Sequence, residues 1–110
     1  MKTLVLGASP NSDRYSYKAV KLLKFYGHEV IPVGIRRGKI AGLDIITGNP
    51  KIEEVHTITL YLGAKNQLIY YDYIISLNPK RIIFNPGTEN AELINLAQDK
   101  NIETLQNCTL

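Results

Sequence analysis

The spacing of apolar positions changes along the chain and divides it into strands and helices. Residues 3–6 form an apolar run that stops at Gly7, the pattern of a strand buried on both faces. From Asp13 to Tyr26, the positions Tyr15, Ala19, Leu22, Leu23 and Tyr26 recur at helical spacing and predict one inward face. Ser12 or Asp13 is the expected N-cap and Gly27 the expected C′ residue. Glu29 to Val33 predicts a second strand, stopped by Gly34. Residues 36–55 are less regular. Ile40, Leu43, Ile45 and Ile46 among Gly38, Gly42 and Gly48 suggest a hairpin-like excursion, and Asn49-Pro50 a turn. Thr57 to Leu62 is β-branched and aromatic, hence a third strand. Asn66 to Leu77 predicts a helix with Leu68, Tyr71, Ile74 and Ile75 inward, ended by Asn78-Pro79. Arg81 to Phe84 is a fourth strand, Glu89 to Lys100 a helix burying Leu93, Ile94, Leu96 and Ala97, and Ile102 to Leu105 a last strand.

This alternation demands parallel pairing with helices on both faces. The expected fold class is α/β: a Rossmann-like, doubly wound, mostly parallel five-stranded sheet in a single domain over residues 1–110. Ligands of such sheets bind beyond the carboxyl ends of the strands, beside strand one. The segments expected there are residues 7–14, 33–39, 61–65 and 85–88.

Composition narrows the setting. The chain is 45% hydrophobic and 21% charged, with a net charge of +3. Cys108 is the one cysteine, so no intrachain disulfide forms, in keeping with a reducing compartment. The apolar run at the start is too short for a signal peptide, and no run approaches a membrane span of ~20 residues. The expected location is the cytoplasm. Lys and Arg form no tract beyond pairs, and no nucleic-acid motif is present, so neither nucleic acid nor membrane is an expected partner. A protein partner or a homo-oligomer stays open.

The candidate chemistry begins at the first strand–helix junction. Gly7-Ala8-Ser9-Pro10, followed by Arg14-Tyr15-Ser16, places a tight small-residue turn and a helix N-terminus at one point, which suits a phosphate. A dinucleotide fingerprint would need three glycines at fixed spacing, and this turn has Gly7 alone. An NAD site also wants an acid after strand two. Here Val33-Gly34-Ile35-Arg36-Arg37-Gly38-Lys39 supplies three cations and no acid. That favours a ligand with an extra phosphate on its ribose, either NADP or coenzyme A (CoA).

The chain resembles the small stand-alone CoA-binding proteins, whose domain is similar to the CoA-binding domain of the succinyl-CoA synthetase α subunit. The resemblance spans nearly the whole chain. It rests on Gly7-Ala8-Ser9-Pro10 with Arg14-Tyr15-Ser16-Tyr17, on Gly27 to Val33, on Gly38 to Gly42, on Ile83 to Asn90, and on Cys108. It implies CoA, or an acyl-CoA, lying across the strand tips. Gly7, Ala8, Ser9, Pro10 and Arg14 would face the phosphates, with Tyr15, Ser16 and Tyr61 close by. Val33, Gly34, Arg36, Arg37 and Lys39 would flank the adenosine, and Asn85-Pro86-Gly87 the pantetheine arm. The chain departs from the family pattern at Gly34, where many members carry a polar residue, and at Gln106-Asn107-Cys108, where many carry Asp two positions before the cysteine.

Signs of catalysis are sparse. His28 and His56 sit at strand starts, opposite the expected site, and Glu53-Glu54 lies in a loop with no base nearby. The reductase pattern Tyr-x-x-x-Lys occurs at Tyr17–Lys21, on the first helix and away from where that chemistry would need it, and at Tyr61–Lys65, without the usual upstream Ser on a neighbouring strand. Cys108 has no activating cation adjacent in sequence. It is either a small buried residue or a thiol able to form a mixed disulfide with CoA under oxidising conditions. No Cys/His cluster has metal-ligand spacing. The expected function is non-catalytic CoA binding, as a carrier, sensor or accessory subunit. The alternatives are a small NADP-dependent oxidoreductase and an interaction module that has lost its ligand.

Overall fold

A computed structural model describes residues 1–107 of the chain. Its elements are β1 (Lys2–Leu6), α1 (Tyr15–Phe25), β2 (Glu29–Val33), β3 (Lys39–Ile40), β4 (Leu43–Asp44), β5 (Thr57–Leu60), α2 (Ala64–Gln67), α3 (Tyr71–Ser76), β6 (Arg81–Phe84), α4 (Ala91–Asp99) and β7 (Glu103–Gln106). A single 3₁₀ turn, Leu68–Tyr70, joins α2 to α3. The main sheet has the order β2-β1-β5-β6-β7, with every neighbouring pair parallel. Counting only its own strands, that is the 2-1-3-4-5 order of doubly wound sheets. Its switch point lies between β1 and β5.

Side chains alternate across the pleat. Leu4 and Leu6 of β1, Ile58 and Leu60 of β5, and Ile82 and Phe84 of β6 face α3 and α4, which contribute Tyr73, Ile74, Leu93 and Ala97. On the other face Val5 and Val30 pack with Val20 of α1 and with Ile40 and Ile45 of the β3–β4 excursion. Helices therefore cover both faces. Each fully buried aliphatic or aromatic side chain contributes ~1.5–3 kcal/mol relative to exposure.

The excursion is a genuine hairpin. Lys39 pairs with Asp44 and Ile40 with Leu43. Its two-residue loop, Ala41-Gly42, has φ of 50° and 83°, as a turn matching strand twist requires. After it, Ile46 bonds back to the outer side of β2: its N–H donates to the Pro32 carbonyl at 2.9 Å and its carbonyl accepts from Gly34 N–H at 3.0 Å. This covers an edge where Pro32 has no N–H to offer.

Four expectations need correction. The N-cap of α1 is Arg14, not Ser12 or Asp13, because Asn11 Oδ1 accepts from Asp13 N–H (3.0 Å) and holds that stretch in a turn. The inward face of α1 is Ser16, Ala19, Val20 and the half-buried Leu23, while Tyr15, Leu22 and Tyr26 are exposed. The helix expected over 66–77 is broken by the 3₁₀ turn, which buries Gln67, Tyr70 and Tyr73 and leaves Leu68 exposed. In α4, Leu93 and Ala97 are buried as expected, but Leu96 is exposed and the cap is Asn90.

Candidate ligand site at the strand tips

A cleft of about 570 Å³ opens at the carboxyl ends of β1, β2, β5 and β6. Its floor is the turn after β1. Gly7 has a φ of 98°, and a Cβ there would lie 3.0 Å from the Tyr61 backbone. The turn is tied to β2, since the N–H groups of Gly7 and Ala8 both donate to the Val33 carbonyl, at 2.9 and 3.0 Å. Those two N–H groups are therefore already engaged in holding the turn. Gly7 shapes the floor, and the free N–H donors lie further along.

They come from α1. Its first helical bond runs from Lys18 N–H to the Arg14 carbonyl, so the N–H groups of Tyr15, Ser16 and Tyr17 have no intrahelical acceptor. No side chain caps this end. Ser9 and Asn11, the natural candidates, are turned into their own loop: Ser9 Oγ accepts from Asn11 N–H at 3.1 Å, and Asn11 Oδ1 from Asp13 N–H. The positive end of an eleven-residue helix thus faces the cleft beside the Arg14 guanidinium.

The loop after β2 forms the next wall. Gly34 approaches the floor so closely that a Cβ would sit 2.1 Å from the Ala8 carbonyl oxygen, and a Cβ on Gly38 would sit 2.6 Å from the Pro10 ring. Ile35 and Arg36 line the cleft. The opposite wall comes from β5 and β6. Tyr61, Leu62, Gly63, Asn66 and Tyr70 line one side, and Pro86, Gly87 and Thr88 the other.

A buried polar cluster joins these two loops. Gln67 is fully buried; its carboxamide donates to the carbonyls of Leu62 (2.7 Å) and Thr88 (2.8 Å). Its Oε1 accepts from Asn90 Nδ2 at 2.9 Å, and Asn90 Nδ2 also donates to the Tyr71 hydroxyl at 2.8 Å. Asn90 Oδ1 caps α4 by accepting from Leu93 N–H at 3.2 Å. Burial pushes the Tyr71 hydroxyl above its ordinary pKa. Below it, Asn85 Nδ2 donates to Thr59 Oγ1 (2.6 Å) and to the Leu60 carbonyl (2.8 Å).

Of the residues singled out from sequence, the fold gathers Gly7, Ala8, Ser9, Pro10, Arg14, Tyr15, Ser16, Gly34, Arg36, Tyr61, Pro86 and Gly87 around the cleft. Val33 and Asn85 are buried beneath it as supports. Arg37 is exposed outside its lining, and Lys39 pairs across the hairpin with Asp44 at 3.4 Å, so the three cations do not converge. Cys108 lies outside the described residues. Sequence reasoning missed Asn66 and Tyr70 on the walls, and Gln67 behind them. Spacing from the apolar pattern could not find them, because the 3₁₀ turn shifts the helical phase there. Among the described residues no group of His, Cys, Asp and Glu could hold a metal ion, and no helix is long and apolar enough to cross a membrane.

Strand order, cleft position and uncapped helix together define a Rossmann-like α/β domain with its opening at the switch point. The chain belongs to the CoA binding domain family, whose model matches residues 1–110. A solved structure of an uncharacterized protein superposes with a TM-score of 0.96 at 53% identity, covering 98% of this chain and 89% of that one. A conserved hypothetical protein from Pyrococcus furiosus is 26% identical, with a TM-score of 0.81 over 94% of this chain and 90% of its own. A hypothetical protein from Pyrococcus horikoshii OT3, 21% identical, shares the fold with a TM-score of 0.86 over 97% of this chain and 77% of its own. No curated protein matches the sequence.

The residues present fit CoA in kind. Arg14, Arg36 and the N-terminus of α1 offer cationic and N–H groups for phosphate on one side. The walls from β5 and β6 carry no charged side chain among the described lining residues.

Proposed function

We propose that the protein binds CoA, or an acyl-CoA, in this cleft without transforming it, as a carrier, sensor or accessory subunit. The observation that supports this most is the charge asymmetry of the cleft. Arg14, Arg36 and the uncapped end of α1 lie on the β1–β2 side, and the lining residues of the β5–β6 side are neutral. CoA has the same asymmetry: a phosphorylated adenosine diphosphate at one end and an uncharged arm at the other. The phosphates belong against α1, where charge-assisted N–H bonds are strongest. The arm belongs between the β5 and β6 loops. The lone cysteine fits the cytoplasm as its compartment.

Native mass spectrometry of the purified protein, with CoA, dephospho-CoA and NADP offered in competition, tests this. The expected result is retention of CoA ahead of both competitors. Preferential retention of NADP would favour a reductase, and retention of none would leave the fold without this function.

A further inference from the structure

The two faces of the sheet are not covered to the same extent. Strand pairing sets Val5, Thr59, Ile83 and Leu105 in one row across it, and Thr3, Thr57, Arg81 and Glu103 in the next. Register partners point to the same face, here the one that carries α1. Along the first row Val5 and Thr59 are fully buried, while Ile83 and Leu105 are partly exposed. Along the second, Thr3 and Thr57 are buried, Arg81 is partly exposed and Glu103 is exposed. On the opposite face, Ile82 and Phe84 of β6 are sealed beneath α3 and α4. Burial on the α1 side therefore stops at β5, and no described helix lies over β6 and β7 there. The open strip is two strands, or about 10 Å, wide, which is the width of one helix.

Helix α1 has a matching surplus. Its hairpin side is marked by Val20, which packs with Ile40, and by Lys24, whose Nζ donates to the Ala41 carbonyl. At about 100° per residue, Tyr15, Leu22 and Tyr26 fall on the opposite flank, turned toward the strip, and Phe25 points away from the sheet. All four are exposed, Phe25 by 81%. Lys18 and Lys21 border them, and α1 contains no acid. An apolar surface of this kind marks an interaction site.

We propose that its partner is a second copy of this chain. A two-fold axis parallel to the strands lays α1 of each copy on the open strip of the other, so both surfaces are covered at once. Helix α1 ends just before β2 begins, so its last turns lie level with the strand starts, where Glu103 opens β7. Leu22 then packs on the partner subunit's Leu105, and Lys21 meets the partner subunit's Glu103, an opposite charge. The strip is one helix wide, and the exposed helix of the same chain carries the complementary charge at the matching height.

Sedimentation velocity of the purified chain over a concentration series tests this. Wild type should dimerise. Phe25→Lys and Leu105→Lys should each raise the dimer dissociation constant roughly tenfold. Ile69→Lys, equally exposed but in the turn between α2 and α3, should leave it unchanged. Glu103→Lys should weaken the dimer, and adding Lys21→Glu should restore it, which no folding defect would do. A monomeric wild type overturns the proposal and leaves the strip to a different chain. A dimer that survives Phe25→Lys overturns it too, because it must use another surface, and this holds even if Leu105→Lys does not fold. Loss in Glu103→Lys without rescue by Lys21→Glu overturns the facing of α1 and β7.

Discussion

Gly34 offers a sharp test of how the two phosphate-side loops meet. Its backbone conformation is not in the left-handed region, so an alanine there meets no torsional objection. The objection is contact. An ideal Cβ would lie 2.1 Å from the Ala8 carbonyl oxygen, 3.1 Å from the Ala8 carbonyl carbon and 3.3 Å from Ile45 Cγ2. Neither partner is free to yield. Ala8 is fixed by its N–H bond to the Val33 carbonyl, and Gly34 by its own N–H bond to Ile46. Overpacking typically costs about 1–3 kcal/mol, and a clash with restrained backbone belongs at the upper end, about 3 kcal/mol. Losing glycine's freedom in the unfolded chain returns about 0.4–1 kcal/mol. The net loss for Gly34→Ala is then about 2 kcal/mol, or about 8 °C in melting temperature for a chain of this length.

Two other glycines separate contact from torsion. Gly48 has a φ of 82° with nothing within 4 Å of its Cβ position, so Gly48→Ala loses only the left-handed preference, about 1 kcal/mol. Gly63 has neither problem, and Gly63→Ala should be near neutral. Thermal and urea unfolding of the three variants should rank Gly34→Ala as the most damaged and Gly63→Ala as the least. A Gly34→Ala protein as stable as Gly63→Ala would refute the close approach of these loops.

Arg36→Ala should weaken CoA about two- to fivefold more than it weakens dephospho-CoA, whereas Arg37→Ala, outside the cleft, should change neither; equal calorimetric effects of the two substitutions would refute this division. Asn90→Ala removes the α4 cap and two further hydrogen bonds, and should lower unfolding free energy in urea by about 2–3 kcal/mol; a loss below about 0.5 kcal/mol would show that the cluster is not formed. Burial raises the Tyr73 hydroxyl above the usual 10.0, and that hydroxyl donates to the Pro50 carbonyl at 2.5 Å. The folded state then holds this proton more tightly than the unfolded chain, so stability is level below pH 10 and falls as pH rises above it. Urea midpoints of Tyr73→Phe should fall less steeply than those of wild type in that alkaline range.

The sheet was legible because its code is local. Apolar runs ending at Gly7, Gly34 and Asn85-Pro86-Gly87 mark strands whose two faces are covered, and the structure keeps those strands within a residue or two of their expected limits. Helix faces were less legible, for two different reasons. In α1 the period was right and the phase was off by one residue: Ser16, Ala19, Val20 and Leu23 face inward at i, i+3, i+4 and i+7. Small residues there let the helix lie close to β1 and β2, while Tyr15 and Tyr26 keep their rings at the surface, a choice that apolar counting does not see. In the α2–α3 region the period itself changed. Gln67, Tyr70 and Tyr73 are three apart and all buried, the spacing of a 3₁₀ turn.

The same shift explains why the neutral side of the cleft was legible only in part: Tyr61, Pro86 and Gly87 were expected there, and Asn66, Gln67 and Tyr70 were not. Arg14, Arg36 and the glycine turn announce a phosphate through residue type, because cations and uncapped helix ends act on a ligand directly. The neutral wall works at one remove. Gln67 looks like a solvated polar residue in a helix, and only the fold shows that its amide faces two carbonyls rather than water. A polar residue turned inward is stable when every one of its groups is paired, and that condition depends here on a loop 21 residues further along the chain. Pattern reasoning assigns polar residues to the surface by default. It therefore misses the residue class best able to hold two loops at a fixed separation.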